Sequence, residues 1–156
     1  MKEHCSHCGQ SLTYELDLDK GSVDILTAIA KYLREKNINA VHPRKELEDK
    51  FILTSNQVGN LSRPRFHGLI AKVVGEKTRG NYCITTKGFN FLNGELIPSI
   101  VIVAKATVST PAHTSDHRGH LTSIKEFDAG WGEYWSSNGY TIEAGRVIIQ
   151  KQPTLI

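Results

Sequence analysis

A chain of 156 residues, 39% hydrophobic and 22% charged, can bury one ordinary core and carry a small appendage, but two full domains would be a tight fit. Its best apolar run, residues 100–104, is far short of the ~20 needed to span a bilayer, residues 1–4 lack the apolar core of an export signal, and three cysteines cannot pair fully, so a cytoplasmic protein without membrane contact or a disulfide framework is expected. The net charge of +3 is uneven: residues 21–97 carry twelve Lys and Arg against seven acids, which fits a phosphate-binding surface or a solvated basic face, while residues 1–20 are net −2 and residues 98–156 balance.

The chain opens with His4-Cys5-Ser6-His7-Cys8-Gly9 and continues into acidic, weakly patterned sequence, a metal knuckle or an arm. Ser22 is predicted to cap a helix in which Leu26, Ile29, Ala30 and Leu33 share one face, with Asp24 near its positive end. Residues 37–40 end it. His42-Pro43 starts a short second helix with Leu47 and Phe51 facing inward. Thr54 and Gln57 have capping-box spacing, so a third helix begins there, with Val58 and Leu61 inward and Ser55, Gln57, Asn60, Ser62 and Arg63 on or near the outer face. Pro64 removes an amide donor and crowds the carbonyl of Asn60, which predicts a kink or an early end.

Gly68 closes that element, residues 69–74 read as a strand, and residues 82–85 read as its returning partner, giving a hairpin whose tip carries Lys77 and Arg79. Thr86 is predicted to cap a short helix that packs Phe89 and Leu92 before Asn93-Gly94 stops it. Beyond Glu95, residues 100–108 have strand character, residues 111–119 are loop-like, and residues 140–143 with 146–150 form a candidate strand pair. Residues 127–135 are aromatic and glycine-rich without helical or strand periodicity.

Three helices followed by a hairpin resemble the winged helix family over about half of the chain. The resemblance is carried by Gly68-Leu69-Ile70 at the start of the wing and by residues 82–92 at its exit. Cys5-x-x-Cys8-Gly9 followed by Leu18-Asp19-Lys20-Gly21 is further similar to small phage and prokaryotic winged helix proteins, and the departure is Pro64, where many winged helices place leucine. The resemblance implies an α+β fold: a winged helix (three helices plus a β-hairpin wing) over residues 21–97, with the knuckle or arm over 1–20 before it and a β-rich extension over 98–156, open to oligomerisation or interaction, after it.

A helix about 10–12 Å across fits a major groove about 12 Å wide, and a neighbouring hairpin reaches flanking phosphate. Gln57 and Asn60 suit adenine edges, Arg63 or Arg65 suit guanine, and Ser55, Lys72, Lys77 and Arg79 suit phosphate oxygens. The expected function is therefore binding of double-stranded DNA, as a transcriptional regulator or phage-type accessory factor, with a homodimer reading paired half-sites. The alternative is a protein interaction module or an inhibitor of a host protein.

Cys5 and Cys8 can turn two thiolates onto zinc, with His4 and His7 first among candidates for the remaining ligands and His42, His67 or Cys83 as others; a vestigial half-site or a redox pair is the competing reading. His113, Asp116, His117 and His120 could hold a metal and support a hydrolase, although loop histidines need no role. No serine elbow, P-loop or dinucleotide fingerprint is present, so a binding protein rather than an enzyme is expected. Trp131, Tyr134 and Trp135 stand among Glu126, Asp128 and Glu133, which favours a core or a subunit contact over base stacking.

Overall fold

The computed structural model describes residues 12–75, 79–137, 140–143 and 146–149. A first strand, β1 (Thr13–Asp17), leads into α1 (Lys20–Lys36). Asp19 rather than Ser22 caps this helix, its carboxylate accepting from the Ser22 amide at 2.8 Å. A carboxylate at the positive helix end is the stronger acceptor, and Ser22 is instead buried in the first turn. Leu26, Ile29, Ala30 and Leu33 are buried as their spacing predicts, and Asn37 ends the helix in the left-handed region at φ 54°.

Val41 pairs with Tyr82 through two backbone bonds, and His42 then caps a single π-helical turn, Pro43–Glu48. The wider turn changes what faces the core. The Leu47 carbonyl accepts from both Ile52 and Leu53, and Leu53 takes the inward position expected for Phe51. Phe51 is turned out, at φ 60° and 94% exposed.

The predicted third helix is two short ones, α2 (Ser55–Gly59) and α3 (Ser62–Phe66). The capping box forms as spaced, with the Gln57 amide donating to Thr54 Oγ1 at 3.1 Å and the Thr54 amide donating to Gln57 Oε1 at 2.9 Å. The break falls at Asn60–Leu61, before Pro64. Restarting the helix there puts Pro64 in a first turn, where amides have no partner within the helix and its missing donor costs little.

Gly68, at φ 80°, turns the chain into β2 (Ile70–Lys72), which pairs with β3 (Tyr82–Ile84) in an antiparallel hairpin shorter than predicted. Thr85, one residue ahead of the expected Thr86, caps α4 (Thr86–Leu92), and Phe89, Phe91 and Leu92 are buried. Gly88 is packed against the chain just before β2: a Cβ there would lie 2.1 Å from the carbonyl oxygen of Leu69.

The later strand β4 (Ile97–Ala104) lies between β1 and β5 (His113–Thr122), antiparallel to both. Much of the stretch predicted to be a loop is thus a strand. It carries no apolar alternation because nearly all of β5 is exposed, leaving nothing for periodicity to report. Val101 and Val103 pack with Phe66, Tyr14, Leu16 and Ala112 in a small second core, which seats the sheet against the end of α3. After a 3₁₀ turn (Ile124–Glu126), the aromatic stretch supplies α5 (Trp131–Ser137). Trp131 and Trp135 belong to the main core, their indole N–H groups donating to the Leu92 carbonyl at 2.9 Å and to Asn93 Oδ1 at 2.7 Å. The strands β6 (Tyr140–Glu143) and β7 (Arg146–Ile149) pair antiparallel as anticipated. The architecture is α+β, and among the described residues no helix is long and apolar enough to cross a membrane.

Candidate nucleic-acid interface

The residues expected to meet DNA divide into an exposed set and an engaged set. Ser55 opens α2 and is exposed, as is Asn60 at its end. Gln57 is half-buried, and its carbonyl oxygen is held by the Thr54 amide. Presenting both its amide atoms to an adenine would break the cap, at a cost of about 1 kcal/mol.

Arg63 is drawn away from the outer face. Its guanidinium lies 3.0 Å from Asp19 Oδ2 and donates to the Asp17 carbonyl at 3.1 Å, tying α3 to the turn between β1 and α1. Partial burial acts to raise the Asp19 pKa, but the hydrogen bond from the Ser22 amide and the charge of Arg63 outweigh it and hold the group below the ordinary carboxylate range. Gln57, Asn60 and Arg63 line one side of a polar cleft of about 200 Å³ whose other side is Asp19, Gly21, Ser22 and Ile25. Arg65 is half-buried, with its guanidinium carbon 4.9 Å from the centre of the Phe66 ring.

On the hairpin, Lys72 ends β2 opposite Tyr82 and is exposed. Arg79 is exposed in the turn leading to β3, and Lys77 lies outside the described residues. Gly80, at φ 86°, folds this turn onto His42: a Cβ there would lie 2.5 Å from the ring Nε2.

Cys5, Cys8, His4 and His7 also lie outside the described residues. His42 Nδ1 accepts from the Lys45 amide, and Cys83 is half-buried on β3. His113, Asp116, His117 and His120 are spread along β5, with Asp116 held by Arg118 and His120 Nδ1 3.3 Å from Ser99 Oγ. Among the described residues, no three His, Cys, Asp or Glu side chains are grouped as metal ligands would be.

In the sequence, His67 stands out only as a spare zinc ligand. The structure buries it within reach of the charges of Lys87 and His117, from α4 and β5. Residues so far apart in the chain share no spacing that could have signalled the grouping. No family model matches the chain, and no curated protein or solved structure matches it.

Proposed function

We propose that residues 21–94 form a winged helix that binds double-stranded DNA, with α2 presented to a groove and the β2–β3 hairpin on flanking backbone. The element order supports this reading: α1, the Val41 bridge, the π-helical turn, α2 with α3, then the hairpin. The observation that carries it is the pairing of exposed polar groups on α2, Ser55 and Asn60, with exposed cations Lys72 and Arg79 on the hairpin that follows. The Arg63 tie to Asp19 supports a positioning role for that arginine in α3, which in this reading leaves Asn60, exposed at the end of α2, as the principal base-reading residue. A regulator or phage-type accessory factor working as a dimer on paired half-sites fits this surface.

The test is a salt titration of binding to duplex DNA, single-stranded DNA and RNA. Neutralising Lys72 and Arg79 together should weaken binding to every duplex alike and flatten the salt slope by about two, whereas Asn60→Ala should relax sequence preference. Binding by both variants that matches the parent would remove this surface from consideration. A second reading, a protein-binding module, is favoured by the outward Phe51 and the neighbouring exposed Ile52. Loss of a purified protein partner on Phe51→Ser, with DNA binding intact, would select it.

A further inference from the structure

Behind α3, basic side chains from three elements converge, with Asp19, paired to Arg63, and Asp116, beside His117, as the acids at their edge. His67, just past the end of α3, is 1% exposed, and neither ring nitrogen has a hydrogen-bond partner. Lys87, in the first turn of α4, lies over Gly68, where an added Cβ would stand 3.7 Å from its Nζ. Its ammonium is half-buried, and among the described residues no oxygen accepts from it. His117 reaches the group from the exposed strand β5, and Arg63 lies one turn before His67. The packing that assembles them is rigid: the Thr85 hydroxyl donates to the Gly68 carbonyl, Gly88 abuts Leu69, and the Thr114 hydroxyl donates to the Phe66 carbonyl.

Buried polar groups are ordinarily hydrogen-bonded, and like charges gathered at low dielectric repel. An anion would satisfy both the unpartnered His67 imidazole and the Lys87 ammonium that lies over the adjacent Gly68. We propose that Lys87, His117 and His67 form a binding site for an oxyanion of the phosphate class, entered from the β5 side. The Lys87 ammonium and a His117 ring N–H donate to the oxygens, and His67 on the floor of the site gains the acceptor that it lacks.

The electrostatics agree. Burial lowers the His67 pKa to about 4, aided by the charges of Lys87, Arg63 and His117; the Asp17 carbonyl, which favours the protonated ring, stops short of a hydrogen bond and does not reverse the effect. Burial and then Lys87 depress His117, against the opposing pull of Asp116, and burial depresses Lys87. Positive charge is disfavoured at all three, and a bound anion would relieve that penalty.

Either free phosphate or the backbone of a polynucleotide could supply this chemistry, and the site does not depend on the α2 surface. The experiment follows the histidine ring nitrogens of the full chain by NMR at constant ionic strength, with sodium chloride, sodium phosphate, and duplexes with and without a 5′-phosphate as the arms. The expected result is that the His67 and His117 signals move with phosphate or duplex but not with chloride. Lys87→Met should weaken that response about tenfold or more, the loss of one charge-assisted contact, and Lys125→Met, at an exposed lysine of the 3₁₀ turn, should leave it unchanged. Saturation by inorganic phosphate identifies a free anion as ligand, and a response to duplex alone identifies the polynucleotide backbone. Ring signals that stay fixed in every arm, or a Lys87→Met protein that titrates like the parent, overturn the site. Should Lys87→Met fail to fold, Lys87→Arg, which keeps the charge, together with the parent titration decides the question. DNA binding that depends on Asn60 and Lys72 while the rings stay fixed would sink this site and leave the groove-reading surface standing.

Discussion

At the scale of single residues, His67 makes the molecule sensitive to acid. His67 is neutral in the fold down to about pH 4, whereas in the unfolded chain it protonates near 6.5. Between those values the unfolded state binds the extra proton, so the contribution of this ring to stability is present above about pH 6.5, declines as the pH falls towards 4, and declines no further below that. At about 1.4 kcal/mol per pH unit, the whole window is worth roughly 3 kcal/mol. Urea unfolding at pH 7 and pH 5 should register much of this difference, and His67→Phe should shrink it; an unchanged pH dependence in the variant would place the acid sensitivity elsewhere. Gly88 is a second sensitive position. Glycine to alanine inside a helix ordinarily stabilises by about 1 kcal/mol, but here the new Cβ meets the Leu69 carbonyl. Gly88→Ala should therefore reverse the usual sign and destabilise by about 1–3 kcal/mol in a denaturant melt.

At the scale of elements, legibility followed locality. The α1 stripe, the capping box at Thr54 and Gln57 and the final strand pair could be read because each is decided within a few neighbouring residues. Thr54→Ala should accordingly cost about 1 kcal/mol of thermal or chemical stability, with little further loss when Gln57→Ala is added, since both bonds belong to one device. Phe51 was misread because a π-helical turn shifts the register that an α-helix would keep, and its spacing from Leu47 carries no sign of that turn. The strand β5 escaped because it is exposed along most of its length. Pro64 signalled an interruption correctly, but the chain breaks ahead of it and uses it to restart a helix. Of the candidate interface, the exposed polar and basic positions were legible as residue types; the engagement of Arg63 by Asp19 and the grouping of His67 with Lys87 and His117 were not, because each joins segments that only the folded chain brings together.

At the scale of the whole molecule, the three-stranded sheet fastens an early segment to a late one. The pairing runs from Thr13 opposite Ala104 to Asp17 opposite Ile100, and the apolar residues of β1, Tyr14 and Leu16, pack beside Val101 and Val103. Removing residues 1–17 would bare that small core and take away the Asp17 carbonyl that Arg63 holds. The shortened chain should melt more than about 5 °C below the parent, since each kcal/mol is worth roughly 2–4 °C in a chain of about 150 residues. An unchanged melting temperature would mean that the sheet contributes little to holding α3.

The same pairing sets a timetable for birth on the ribosome. The first strand leaves the peptidyl transferase centre some ninety residues before its neighbour in the sheet is polymerised, an interval of about 5–20 s at ordinary translation rates. Until β4 is made, the hydrogen-bonding groups of β1 lack the neighbour that satisfies them in the sheet. Both partners of the Asp19–Arg63 contact precede β4 in the chain, but an exposed ion pair worth about 0–1 kcal/mol does not by itself hold the strand, so the sheet is completed only when β4 arrives.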